Sequence, residues 1–294
     1  MSVSAFLDYL QLEKKYAKHT VVAYKNDIST FLAQSGLMEE DLLTLEYAVI
    51  RSWIVFLIES GLSARSINRK LSSLKAYFKF LLKIEARTDT PFAKHKSLKI
   101  PKKVQVPFSK EEMSQVLDQI EYPNTFEGKR DYLIINLLYT TGIRRAELVQ
   151  IKLVDYNGVT GNLKVLGKRK KERLVPILPT LKDAIEEYLE ARNRLPVIKD
   201  YAFLFLTKKG LKLYETLVYR VINKYLSLVS PKVKKSPHML RHTFATHLLN
   251  QGADLNAVKE LLGHASLAST QVYTHNSIAE LKKIHKTAHP RSKE

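Results

Sequence analysis

The 294-residue sequence contains no cysteine. Disulfides, thiol nucleophiles and thiolate metal sites are therefore excluded. Glycine and proline number ten each, too few for a low-complexity or fibrous chain. No apolar run reaches the length needed to cross a bilayer, and the N-terminus lacks a basic-then-apolar signal pattern. The expectation is a cytoplasmic protein. Acidic residues are scarce beside basic ones: 29 Asp and Glu face 48 Lys and Arg, a formal net charge of +19. Residues 1–100 hold 15 basic and 10 acidic residues, which leaves 33 against 19 for the remainder. Both halves are basic, and charge of this sign and size favours a polyanionic partner.

The pattern of apolar residues is mainly helical, with one short β region. Thr20 is placed to cap a helix carrying Tyr24, Ile28, Phe31 and Leu32, ending near Gly36. A second helix runs through Ile50, Trp53, Ile54, Leu57 and Ile58 to Gly61. Ser63 caps a third, Ala64 to Lys83, whose apolar face holds Ile67, Leu71, Leu74, Phe78 and Leu81. Its opposite face holds Arg65, Arg69, Lys75, Lys79 and Lys83, with Ser72 and Ala76 between them. A solvated face is the ordinary fate of such a stripe. Here one sign of charge and small intervening residues favour contact with a duplex backbone.

Residues 88–107 are expected to form a linker, with Pro91, Pro101 and Pro107 blocking helix and lysines including Lys102 and Lys103 suited to phosphates. A plain connector is the competing account. From Phe108 a second domain begins, with Ser109 and Glu112 as a capping box. An apolar helix through Tyr132, Leu133, Ile135, Leu137 and Leu138 is broken by Gly142. Strands are expected at 163–166 and 173–177, joined by a turn at 167–171, before helices return.

The richest segment is Ser236 to His275. Ser236-Pro237 is a helix start, and His238, Arg241 and His242 follow on one side of the first turns. Free N–H groups, an arginine and a histidine make an anion site. His247 falls nearly opposite His238. Asp254 caps a helix ended by Gly263, which leaves His264 on a turn, and Ser266 or Ser269 starts a last short helix carrying Tyr273. Any one of these features alone reads as ordinary structure, since the chain has 15 tyrosines.

Taken together, the motifs resemble the tyrosine recombinase (phage integrase) family, most nearly its XerC/XerD type. The resemblance rests on His238-Met239-Leu240-Arg241-His242, Leu262-Gly263-His264 and Tyr273. Upstream, Thr141-Gly142-Ile143-Arg144-Arg145-Ala146-Glu147-Leu148 resembles the box with the family's first catalytic arginine. Gly167-Lys168 with Lys171-Glu172-Arg173-Leu174-Val175-Pro176 resembles its lysine-bearing hairpin. The resemblance covers essentially the whole chain. It implies a helical SAM-like core-binding domain at 1–87, the linker at 88–107 and an α+β catalytic domain at 108–294. It also implies a C-terminal helix exchanged between protomers, with Ile278, Leu281 and Ile284 as a stripe lacking a partner in its own chain.

The implied catalytic set is Arg144, Lys168, His238, Arg241, His264 and Tyr273, supported by Glu147, with no metal or other cofactor. Two guanidiniums can clamp the non-bridging oxygens of a phosphodiester bidentately and stay charged. Tyr273 is a weak nucleophile near a pKa of ~10 unless arginines favour its phenolate and His238 takes its proton. Lys168 can protonate the leaving 5′-oxygen, and His264 can hydrogen-bond the phosphate. Arg169 follows Lys168 where the family usually has glycine. Lys170 and Lys171 therefore remain alternatives for the acid, and all three remain candidate phosphate contacts, Lys171 included. The implied partners are a double-stranded DNA site and a homo- or hetero-tetramer that includes a second Xer-type recombinase in the latter case.

Three rival readings compete with this one. A metallohydrolase lacks its ligands here: His238 and His242 are four apart with no His-Glu-x-x-His glutamate. A silent DNA-binding protein of the same fold is the stronger alternative, though it would not be expected to retain all six residues. A type IB topoisomerase shares the chemistry but not a swapping tail.

Overall fold

The computed structural model describes residues 2–101, 105–167, 171–263, 284–285 and 287–292. Lys102, Lys103, Lys168, His264, Tyr273 and the stripe residues Ile278 and Leu281 lie outside the described residues. The chain divides into two compact units, Met1–Val104 and Gln105–Glu294. The division falls inside the expected linker. Among the described residues, no helix is long and apolar enough to cross a membrane.

The first unit is helical: α1 (Val3–Asp8), α2 (Lys18–Ser35), α3 (Tyr47–Glu59) and α4 (Ala64–Lys83). α4 has the bounds its sequence predicts. The Ser63 hydroxyl accepts from the Ser66 amide at 3.3 Å, and the five apolar-face residues are all buried. Each such side chain is worth about 1.5–3 kcal/mol when fully withdrawn from water, an upper bound. α2 starts earlier than expected. The chain is extended at Ala17, and the Thr20 amide already bonds the Ala17 carbonyl at 2.8 Å, so Thr20 lies inside the helix. Much of the expected linker packs on this unit. Phe92 joins its core, and the Asn68 side chain pairs with the Leu98 backbone at 2.8 and 3.0 Å.

The second unit begins with α5 (Lys110–Ser114), where Ser109 and Glu112 form the expected capping box. At its centre is α6 (Phe126–Thr141), buried on almost every face from Leu133 to Thr141. α7 (Arg145–Leu148) follows the left-handed Gly142. A three-stranded antiparallel sheet comes next, in order β1 (Tyr156–Asn157), β2 (Asn162–Leu166), β3 (Glu172–Pro176). Leu163 pairs with Val175 and Leu166 with Glu172. Leu163, Val165 and Val175 face the core. The helices α8 (Pro179–Asn193), α9 (Glu215–Val229), α10 (Pro237–Asn250) and α11 (Leu255–Leu261) follow.

The end of the tail has partners in its own chain. Ala288 is buried with Phe244, Leu248, Val258, Leu261 and Leu262. His285 Nε2 donates to the Thr140 carbonyl at 2.7 Å, and Arg291 Nη1 donates to both Asp118 oxygens at 2.7 and 2.9 Å. Thr140 lies in the last turn of α6, where carbonyls have no partner within the helix. The tail is held because it supplies donors to that turn.

Candidate active site

The site is assembled from three places in the second unit: the α6–α7 corner, β3, and the start of α10 with the end of α11. Gly142 (φ +61) reverses the chain after α6, and a Cβ there would meet the Phe244 ring at 2.3 Å. The turn aims Arg144 and buries Glu147. Glu147 accepts from the Arg144 amide at 2.9 Å and from Arg144 Nη1 at 2.7 Å. Arg173 lies on the buried face of β3 and approaches from the other side, Nη1 and Nη2 donating to the two carboxylate oxygens at 3.1 and 2.8 Å. Burial alone would push the Glu147 carboxyl up. The hydrogen bonds and charge of Arg173, then those of Arg144, outweigh it and hold the group below the ordinary carboxylate value.

Arg241 extends from the second turn of α10, which starts at Ser236 and Pro237 as predicted. Its Nη1 donates to the Gly142 carbonyl and its Nη2 to the Leu262 carbonyl, both at 2.6 Å. Burial, then the charges of Arg144 and Arg173, pull its pKa down to about 10, which leaves it protonated at neutral pH. Three arginines thus converge on three consecutive carbonyls. Arg173 Nε donates to Leu261 at 3.3 Å, Arg241 to Leu262, and Arg144 Nη2 to Gly263 at 3.4 Å. His264 follows directly in sequence. Arg144 keeps 40% of its side chain exposed, whereas Arg173 keeps 5%. Arg144 is therefore the guanidinium open to an incoming anion.

His238 is exposed at the first turn of α10. Partial burial, then the charges of Lys234, Arg241 and His242, lower its pKa, so its imidazole is a neutral acceptor at neutral pH. His242 is exposed beside the Gln105 carbonyl at 3.3 Å. His247 is structural: its ring lies between the Tyr139 hydroxyl and the Phe108 carbonyl, each at 2.9 Å. The Gly167 amide donates to the Lys171 carbonyl at 2.7 Å, which closes the hairpin around 168–170. A Cβ on Gly167 would lie 3.5 Å from Arg173 Nη1 and 3.7 Å from Glu147 Oε1. Gly167, the residue before Lys168 in sequence, therefore lies beside the arginine cluster, and Lys171 is exposed. Among the described residues, no group of three His, Asp or Glu side chains could hold a metal ion.

The basic stripe of α4 is only partly available. Arg69 is held by buried Asp27 at 2.6 and 2.8 Å, and the same carboxylate accepts from Lys70 and Ser73. Lys83 pairs with Glu13 at 2.7 Å, and Lys75 lies over the Phe92 ring. Arg65 and Lys79 are exposed with no ion pair among the described residues. Arg173 lies within the hairpin motif, but its task is set by partners on other elements. A charge alternating with core residues on a strand was the available signal. Asp27 gave no such signal.

Comparison with known proteins gives a consistent result. The Phage integrase family matches residues 98–280, and the Phage integrase, N-terminal SAM-like domain matches residues 3–84. The chain is 36% identical to tyrosine recombinase XerC of Chlorobaculum parvum, covering 97% of this chain and 93% of that one. Against XerC of Oceanobacillus iheyensis identity is 37%, covering 99% and 96%, and against XerC of Staphylococcus aureus 38%, covering 98% and 96%. Among solved structures, the Tn1549 transposon integrase in complex with transposon right end DNA aligns at TM-score 0.73 and 22% identity, over 97% and 99% of the two chains. XerH bound to its difH substrate aligns at TM-score 0.62 and 26% identity, over 80% and 69%. Motif spacing, helical first unit and arginine-lined corner have one shared origin, and the chain belongs to the phage integrase family.

Proposed function

We propose that the protein is a site-specific DNA recombinase that cuts and rejoins duplex DNA through a 3′-phosphotyrosine intermediate and a Holliday junction. The observation that carries this reading is the convergence of Arg144 and Arg241 beside buried Glu147, at the corner that leads into His264. Arg144 and Arg241 clamp the non-bridging oxygens of the scissile phosphate, where charge accumulates as the phosphorus becomes five-coordinate. Tyr273 attacks phosphorus, its phenolic proton passing to neutral His238. The bond to the 5′-oxygen breaks, and Lys168 protonates that oxygen. The phosphotyrosine link retains the bond energy, so rejoining needs no nucleotide hydrolysis. Guanidinium charge takes the place of a metal ion. Arg65, Lys79 and, in the hairpin, Lys171 make backbone contacts, with Lys102 and Lys103 along the strap between the units.

The finer reading is a cytoplasmic Xer-type role in chromosome dimer resolution, in a tetramer on DNA formed with itself or with a second recombinase. It is supported by similarity over nearly the full length to relatives named XerC. Integration and excision of a mobile element is the second reading, supported by the fold shared with a transposon integrase. Tail exchange between protomers would first have to release the His285, Ala288 and Arg291 contacts.

The test uses a duplex selected by the protein from a randomised pool and then nicked beside the cleavage point. Wild type is expected to form a denaturant-resistant protein–DNA adduct in EDTA, and Tyr273→Phe to form none. An adduct in the mutant would remove Tyr273 as nucleophile. Specific binding with no adduct in wild type would establish the silent DNA-binding alternative.

A further inference from the structure

Arg173 keeps 5% of its side chain exposed, and its Nε, Nη1 and Nη2 all donate to groups inside the protein. Its three side-chain hydrogen bonds join Glu147 to the 261–263 corner. Two go to the oxygens of Glu147, the carboxylate that also holds the Arg144 backbone and guanidinium. The third goes to the Leu261 carbonyl, the first of the three held in a row. Gly263 lies against the same guanidinium, where a Cβ would sit 3.0 Å from Nη1. Without Arg173, Glu147 would be a buried carboxylate with Arg144 as its remaining cationic hydrogen-bond donor. Arg144 would turn inward to neutralise it, since an uncompensated buried charge is costly. The guanidinium most open to a phosphate would then be spent inside the protein.

We infer that Arg173 is a positioning residue for strand cleavage: it neutralises and orients Glu147 so that Arg144, although bonded to the same carboxylate, keeps its exposed side for the scissile phosphate, and it anchors the start of the 261–263 corner. This rests on the recombinase reading above. Second-layer groups that orient reacting ones typically change activity by ~10–100-fold when removed. Arg173 differs from Glu147 in approaching from the hairpin strand, so it also ties β3 to the phosphate clamp. A lysine there keeps the charge but offers no planar fork to span both oxygens.

The experiment measures adduct formation on the nicked duplex, with DNA affinity and thermal unfolding followed in parallel. The proteins are wild type, Arg173→Met, Arg173→Lys, Glu147→Gln and the double variant Arg173→Met/Glu147→Gln. Arg173→Met is expected to slow cleavage at saturating DNA by ~10–100-fold while changing the Kd by less than about threefold, with Arg173→Lys intermediate. The double variant is expected to cleave no slower than the slower single variant, because both changes act through one carboxylate. Should Arg173→Met fail to fold, Arg173→Lys carries the same split between cleavage rate and Kd. A folded Arg173 variant cleaving at the wild-type rate would overturn the inference, as would penalties that multiply in the double variant. Wild type that binds but never forms an adduct would instead defeat the recombinase reading itself.

Discussion

Arg241 is a tie for the backbone as well as, in the proposed chemistry, a charge for the substrate. Its two terminal nitrogens are committed to the carbonyls of Gly142 and Leu262 at 2.6 Å each. A lysine has one ammonium and cannot span both. Arg241→Lys is therefore expected to lower the cleavage rate by ~10²–10³-fold, the loss typical of one missing transition-state donor. Single-turnover adduct formation measures it, and a rate within threefold of wild type would contradict the assignment. Gly142 supplies the other end of that tie. In Gly142→Ala the left-handed backbone costs about 1–2 kcal/mol and the clash with Phe244 about 1–3 more, so a fall of ~2–5 kcal/mol is expected in denaturant unfolding. Both residues stood out in the sequence because glycine before an arginine box has a local meaning. Arg173 and Asp27 did not, since their partners lie on other elements and burial of a charge becomes visible only when those elements meet.

The tail end and α4 show the same division at the level of elements. α4 was legible to the residue, because Gly61, the Ser63 cap and an unbroken apolar period all act locally. Which of its cations are free was not, because Asp27 on α2 and Glu13 decide it. Arg65→Ala and Lys79→Ala are each expected to reduce the salt slope of DNA binding by ~1, and Lys83→Ala by less, in titrations across ionic strength. For the tail, the sequence showed an apolar stripe but not the α6 carbonyls awaiting donors. His285 is fully buried, and burial, only partly offset by its bond to Thr140, lowers its pKa from 6.5 to about 4. Burial likewise lowers His289. A released tail therefore binds more protons than the docked one between those values. Docking is fully stable above pH 6.5 and is lost as pH falls toward 4, by on the order of 3 kcal/mol for His285. Protection factors for amide exchange of residues 284–292, corrected for the intrinsic pH dependence of exchange, are expected to be lower near pH 5 than near neutrality, and less so in His285→Gln. Equal protection at both pH values would count against this.

At the scale of the whole molecule, a net charge of +19 spread over both units makes ionic strength the main control on DNA affinity. If 6–10 phosphates are contacted, affinity should fall ~10³–10⁵-fold between about 50 and 200 mM salt, as measured by equilibrium titration. The row of carbonyls at Leu261, Leu262 and Gly263 bears on how such a protein changes over generations. The arginines that grip it are part of the fold before any DNA arrives, and losing one loosens the chain itself. A descendant that stopped cutting DNA would still be selected to keep Arg144, Arg173 and Arg241 merely to stay folded. Tyr273 is the nucleophile of the proposed chemistry, so its replacement alone would end cutting. Within this lineage the arginines mark ancestry, and the tyrosine is the position whose replacement should accompany retirement from catalysis.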